Sequence, residues 1–288
     1  MFIKKGPIYL ALFYFYTVQL TQIIIYPLKG LPGIELPKAQ ISHRGLQFDR
    51  RYMLVDESGT FISQRTFPML SLLKIDLLAT GFKVHSANNL NGIILPFEIE
   101  GEPCQVKVWE DVCLAYQAPQ KLSKWFSNEL QTNCRLVYMP ERSLRLLETT
   151  IETGKKLVSF ADAFPFLLIG QSSLDALNAR LSEPIKMDRF RPNLVFTSAP
   201  AHAEDGFDEF NIGLLEFVAA KPCARCAVPS VNQQTGKKEK EPLHTLSQYR
   251  QFENKIYFGE NVYCKTDVGT LKVGDNITLK STKKSLSF

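Results

Sequence analysis

Apolar residues in this chain come mostly in short β-branched and aromatic runs cut by Gly, Pro, Asn and Asp, the pattern of many short strands. Ile23-Ile24-Ile25-Tyr26 stops at Pro27. Arg51-Tyr52-Met53-Leu54-Val55 runs into the turn-forming Asp56-Glu57-Ser58-Gly59, and Thr60-Phe61-Ile62-Ser63 returns as a hairpin. Further strands are expected at 72–78, 81–85, 92–99 and 105–108, close enough together for a barrel or sandwich. The period changes at 121–130, where Leu122, Trp125, Phe126 and Leu130 fall on one helical face. A polar stretch over 140–156 reads as a connection. Behind it, Ser172-Ser173-Leu174-Asp175 has the Ser-x-x-Asp form that caps a helix, followed by a Leu174, Leu177, Leu181 stripe. Strands are expected again at 193–197, 215–219, 261–265 and 277–279, with a charged loop at 235–241.

Composition leaves that picture in place. At 288 residues, 45% hydrophobic and 22% charged, the chain suffices for one large or two medium domains with buried cores. Lys and Arg number 34 against 29 Asp and Glu, an excess too small and too dispersed to argue for nucleic acid. It suits small anionic ligands. The six cysteines are scattered, which fits reduced thiols better than a disulfide framework.

One segment stands apart. After Lys4 and Lys5, residues 8–18 are apolar, too short for a membrane-spanning helix of about 20 residues. A strand or non-native extension, a membrane-associating segment and a secretion signal all fit it, although no small-x-small cleavage site follows. No later segment is apolar enough to cross a membrane, so a cytoplasmic protein is expected.

The candidate chemistry centres on Lys221-Pro222-Cys223-Ala224-Arg225-Cys226. It sets a soft thiolate, the natural ligand of a thiophilic metal, beside a guanidinium suited to phosphate. Zinc would need four ligands, and only the distant His244 and Cys264 could complete a set. A thioredoxin-type site would need a helix after the pair, where Ala227-Val228-Pro229 stands. Two buried cysteines near a turn, or one catalytic or metal-ligating thiolate with an anion on Arg225, remain. Lys29, Arg50, Arg51, Arg65, Arg189 and Arg191 lie at the ends of expected strands, where they can converge on a multiply charged anion. For any one of them alone, a solvated rim charge or a surface ion pair is the better reading. Ser172 and Ser173 at a helix start offer backbone N–H groups to an anion. The chain has no GxGxxG, GxxxxGK[ST] or HExxH, and its four histidines include no close pair.

These stretches resemble a known family, the MOSC proteins with a MOSC N-terminal β-barrel domain, in particular the bacterial YcbX type and the mitochondrial amidoxime reducing component. The matching segments begin with Ile25-Tyr26-Pro27-Leu28-Lys29-Gly30, Gly45-Leu46-Gln47-Phe48-Asp49-Arg50-Arg51-Tyr52-Met53 and Phe160-Ala161-Asp162-Ala163-Phe164-Pro165-Phe166-Leu167. Phe190-Arg191-Pro192-Asn193, the cysteine motif, Glu241-Pro242-Leu243-His244-Thr245-Leu246 and Gly269-Thr270-Leu271-Lys272-Val273-Gly274-Asp275 follow in order.

The resemblance implies a mainly β fold with a few helices (α+β): residues 17–140 as the N-terminal β-barrel-like domain, 141–288 as the MOSC domain, and 1–16 as an extension. It implies a molybdenum cofactor, with Cys226 as metal ligand and catalytic residue. Lys29, Arg50, Ser173, Arg191, Asn193 and Arg225 would hold the cofactor's phosphate and pterin, with Arg51 and Arg65 as additions. The implied activity is reduction of N-hydroxylated compounds, of amidoxime, hydroxylamine or N-hydroxylated base type. The alternative is a non-catalytic module that carries molybdenum cofactor or sulfur. Many YcbX-type relatives carry a C-terminal [2Fe–2S] domain whose cysteine cluster is missing here, so electrons are expected from a separate reductase, an iron–sulfur or a flavin protein. Pyridoxal phosphate attaches to the family by association only. The apolar N-terminal stretch reads as a membrane tether or as an upstream start.

Overall fold

The computed structural model describes residues 17–147 and 156–286. The expectations for residues 1–16, and the part of the expected connection at 148–155, lie outside the described residues. Strands dominate, as the sequence pattern predicts. The α-helices among the described residues are Gln120–Leu130, Gln171–Asn178 and Leu243–Ser247, and none is long and apolar enough to cross a membrane.

The largest sheet runs Ile34–Leu36, Gln19–Ile25, Leu194–Thr197, Phe166–Gly170, Lys255–Cys264, Leu215–Ala224, Glu209–Ile212 and Ile277–Leu279. Two of these strands come from the first 36 residues and the rest from the second half. Gln19–Ile25 buries Leu20, Ile23 and Ile25 and pairs antiparallel with Leu194–Thr197, placing Ile23 opposite Leu194. Its start also bonds the chain's end, through Leu20 N to Asp275 O at 2.9 Å and Ile277 N to Val18 O at 2.8 Å. Lys38–Ser42 likewise pairs with Gly269–Lys272. A cut at 140/141 therefore divides the chain but not its sheets.

The remaining first-half strands form smaller sheets. One runs Tyr52–Val55, Arg135–Tyr138, Asp111–Gln117, Pro103–Val108, and another Lys74–Leu78, Gly81–Ser86, Asn89–Pro96. Helix Gln120–Leu130 buries Leu122 and Phe126, half of its expected stripe, with Trp125 and Leu130 partly buried at the core's edge. The hairpin expected after Val55 is narrow: Val55 bridges Phe61 and Ile62 N reaches Leu54 O at 2.8 Å.

Three local expectations are corrected. Helix Gln171–Asn178 starts before Ser172, its N-cap is Gly170, and no side chain caps it. The Ser173 hydroxyl is drawn inward, donating to buried Glu204 at 2.9 Å and accepting from His202 N at 2.8 Å. Leu181 falls beyond the helix end. The strand expected at 215–219 continues to Ala224, with irregular pairing on either side of Lys221-Pro222. Pro222 has no N–H to donate, so the ladder there bulges and the strand carries Cys223 out toward its end.

Two buried arginines secure the connection between the halves. Arg44 donates to Val158 O at 3.2 Å, Glu141 O at 2.8 Å and Ser143 O. Arg145 donates to Ser159 O at 2.7 Å, Ala161 O at 2.5 Å and Asp111 Oδ2 at 2.9 Å. Each buried guanidinium thus finds acceptors in the backbone it holds.

Candidate functional site

Tyr26-Pro27-Leu28-Lys29 leaves the first strand and runs beside Arg50-Arg51-Tyr52, joined by Arg50 N to Tyr26 O at 2.8 Å and Lys29 N to Tyr52 O at 2.8 Å. This pairing places Lys29 and Arg50 together. From the second half, Phe160 N bonds Arg50 O at 3.0 Å, bringing Asp162 to Lys29, whose Nζ donates to Asp162 Oδ1 at 2.5 Å and to Phe160 O at 2.8 Å. Arg50 donates to Asp49 Oδ2 at 2.5 Å and to Asn193 Oδ1 at 3.0 Å. Arg50 and Arg191 both set their guanidinium groups over the Tyr26 ring, at 4.6 and 4.3 Å from its centroid. Arg65 stacks on Trp109 at 4.1 Å, and Trp109 Nε1 donates to Asp162 Oδ1 at 3.0 Å.

The cluster is cation-rich. Lys29 has Asp162 and Arg50 has Asp49, whereas Arg191 makes no hydrogen bond or ion pair among the described residues. Burial pushes the Lys29 ammonium down against the pull of Asp162. Burial also pushes Arg191 down, to about 10; Arg50 adds to this while Tyr26 and Asp162 oppose it. Arg191 still stays charged at neutral pH. Burial alone would raise Asp162, but Lys29, the Trp109 N–H and Arg50 outweigh it and hold that carboxyl well below the usual range. The half-buried Arg191 guanidinium finds no acceptor among the described residues, and an anion reaching it from solvent would supply one. Arg50, Trp109 and Arg191 also hold φ values of 50°, 57° and 57°, left-handed backbone that persists where surroundings fix it and that gathers at functional sites.

The cysteine motif ends the bulged strand beside this cluster. Arg225 Nη2 donates to the carbonyl of Phe190, the residue before Arg191, at 2.7 Å. Its Nη1 lies 3.2 Å from Cys223 Sγ, and its buried Nε has no partner. The expected neighbour of the guanidinium was Cys226; the structure gives it Cys223. Cys226 is exposed and makes no hydrogen bond among the described residues, while Cys223 packs partly buried against a core cluster. All six cysteines are free. No group of three or more His, Cys, Asp or Glu gathers among the described residues, so a metal at Cys226 would draw its remaining donors from outside that set.

The other expected residues separate. Arg51 is a correction: it turns to the opposite side from Arg50, donating to Met139 O at 2.6 Å and Glu141 Oε1 at 2.5 Å. Arg50 closes a turn with left-handed backbone, whereas Arg51 leads directly into strand Tyr52–Val55, so the two side chains leave in different directions. Ser173 is buried on Glu204, with its hydroxyl committed there. Asn193 has its amide fully used: Oδ1 accepts from Arg50 and Leu167 N, and Nδ2 donates to Ile24 O at 3.1 Å and Asp49 Oδ1 at 3.2 Å. It therefore supports Arg50 and leaves ligand contact to others. Asp49, Asp162 and Trp109 were missed as site residues. The two acids stood inside quoted motifs, but nothing in the pattern set them opposite Arg50 and Lys29. Trp109 carried no signal at all.

Comparison with known proteins matches two domain models in the same order, the MOSC N-terminal beta barrel domain over residues 17–133 and the MOSC domain over 155–278. The mouse mitochondrial amidoxime-reducing component 1 is 31% identical over 279 residues, covering 90% of this chain and 81% of the relative. The human mitochondrial amidoxime reducing component 2 is 31% identical, covering 88% and 81%. Molybdenum cofactor sulfurase 3 of Aedes aegypti is 29% identical over 84% of this chain but only 33% of its own length. With both models and both full-length relatives in agreement, the chain belongs to the MOSC family, in the branch that places a MOSC N-terminal β-barrel domain ahead of the MOSC domain.

Proposed function

We propose that this protein is a molybdenum-cofactor-binding oxidoreductase that reduces N-hydroxylated compounds with electrons from a separate protein. One observation carries the reading: an accessible thiol, Cys226, follows the end of strand Leu215–Ala224 next to Arg225, which reaches the cation cluster, and neither Cys226 nor the cluster's Arg191 has a hydrogen-bond partner among the described residues. A thiolate selects a soft metal and guanidinium groups select phosphate. The relatives named amidoxime-reducing components support the substrate class.

The residues present fit such a cofactor. Cys226 would bind the metal, and Lys29, Arg50, Arg65, Arg191 and Arg225 would hold the anionic part. The orphaned Nε of Arg225 and the acceptor-free Arg191 are groups that an anion would satisfy. When bound, the cofactor supplies two-electron redox chemistry at molybdenum. The chain's own work is binding and orientation. Asn193 and Asp49 fix Arg50, Tyr26 underlies both Arg50 and Arg191, and Asp162 stays ionised at the rim and cannot act as a proton donor at neutral pH.

A non-catalytic module carrying molybdenum cofactor or sulfur is the second reading, favoured by the match to the sulfurases. One experiment separates them: molybdenum and pterin content of the purified protein, followed by turnover of an amidoxime with reduced methyl viologen. Bound molybdenum with turnover supports the reductase. Stoichiometric molybdenum without turnover of any N-hydroxylated compound sinks it and leaves the module.

A further inference from the structure

Strands Pro103–Val108 and Asp111–Gln117 are joined by a two-residue turn, Trp109-Glu110, that closes the Val108–Asp111 pair. Trp109 takes its first position at φ 57°, where such turns ordinarily place Gly, Asn or Asp. A bulky residue in that backbone is strained and persists only where its surroundings fix it. Here they do. The indole Nε1 donates to Asp162 Oδ1 at 3.0 Å, Arg65 lies over the ring at 4.1 Å, and Phe61 packs at 5.3 Å. Even so, Trp109 remains 40% exposed, so burial does not explain its choice.

We propose that Trp109 is a positioning residue of the anion site, pinning Asp162 to Lys29 and thereby keeping Arg191 free for the ligand. This rests on the reading of the cation cluster as an anion site. The Asp162 side chain is 62% exposed and, among the described residues, is ion-paired only with Lys29. Its charge already reaches Arg191. Without the indole N–H, the carboxylate is free to swing toward that acceptor-free guanidinium and neutralise it. With the N–H in place, one oxygen is held between two donors, Lys29 from the first strand's end and Trp109 from the hairpin tip. Arg65, stacked on the same ring, is kept at the rim.

The test is a double-mutant cycle on full-length protein made without cofactor, with inorganic pyrophosphate as the probe and binding followed by calorimetry. Trp109→Phe keeps a ring under Arg65 and removes only the N–H. It is expected to weaken pyrophosphate binding roughly tenfold beside Asp162, the scale of one hydrogen bond to a charged group. In the Asp162→Ala background, where no carboxylate competes, it should change nothing. Equal weakening in both backgrounds, no weakening beside Asp162, or tightening overturns the proposal. Absence of pyrophosphate binding in the parent protein counts instead against the anion-site reading. The proposal is then decided by fluorescence, as it also is if Trp109→Phe misfolds. The chain has two tryptophans, so Trp125→Phe leaves Trp109 as sole emitter. Its emission maximum should shift in Asp162→Ala, and an unmoved spectrum overturns the contact.

Discussion

Arg50 donates a 3.0 Å hydrogen bond to Asn193, a residue 143 positions away. The bond ties the approach to strand Tyr52–Val55 to the approach to strand Leu194–Thr197, and sets a cation from the first half beside Arg191 from the second. Because all four hydrogen bonds of the Asn193 amide go to groups that cannot reach water easily, its loss strands several of them. Asn193→Ala is expected to cost about 2–4 kcal/mol in urea unfolding. Asn193→Asp should cost more, because it turns a carboxylate oxygen toward Asp49 where an N–H now donates.

Arg191 should behave in the opposite way. It has no ion pair to lose among the described residues, only its stacking on Tyr26, so Arg191→Gln removes a half-buried cation and strands no acceptor. The melting temperature is expected to hold or rise, while molybdenum and pterin recovered with the protein fall. A melt and an elemental analysis on one preparation check both halves of this expectation.

The two cysteines should part company. Cys226→Ala is expected to abolish bound molybdenum with little change in stability, since the residue is exposed. Cys223→Ala removes a partly buried sulfur that contacts Arg225; it should cost about 1 kcal/mol and keep at least part of the metal. Full metal retention in Cys226→Ala would contradict the assignment of that thiol.

Acidity enters through two buried carboxyl groups away from the cluster. Burial and nearby Asp205 push Glu204 up to about 7, against donors that include Ser173 and Gly170. Burial pushes Glu260 up to about 8 despite Lys283 at 2.5 Å. Unfolded, both titrate near 4.5. Between about pH 5 and 7 the folded chain keeps protons that the unfolded chain releases, so stability falls as pH rises through that range. The fall should level off above about pH 8. Glu204→Gln should make the slope shallower, and urea unfolding at pH 5, 6, 7 and 8 measures it.

Much of the site was visible in the sequence because its parts are local. Strand-end arginines and a cysteine after a proline-broken strand are features of adjacent residues, and Lys29, Arg50, Arg65 and Arg191 do gather. Facing was less visible. Arg50 and Arg51 are the same residue type one step apart, and only the left-handed turn at Arg50 sends one to Tyr26 and the other to Glu141. Ser173 obeyed a distant carboxylate rather than its own helix. Asp162 and Trp109 meet across the fold, and nothing in either one's neighbours announces the other. The pairing of Gln19–Ile25 with Leu194–Thr197 was hidden for the same reason: the two runs are more than half the chain apart.

That last pairing has a bearing on biosynthesis. A ribosome emits residues 19–25 early, and residues 34–36 soon after can cover one edge at Ile23–Ile25, yet the other edge waits for residues 194–197 and the strand's start for the backbone near 275–277. Until then an apolar β-prone ribbon travels with one edge open, the kind of exposed segment that invites association between nascent chains. Separately expressed halves are therefore expected to be sticky and insoluble, and to recover their shape only when supplied together.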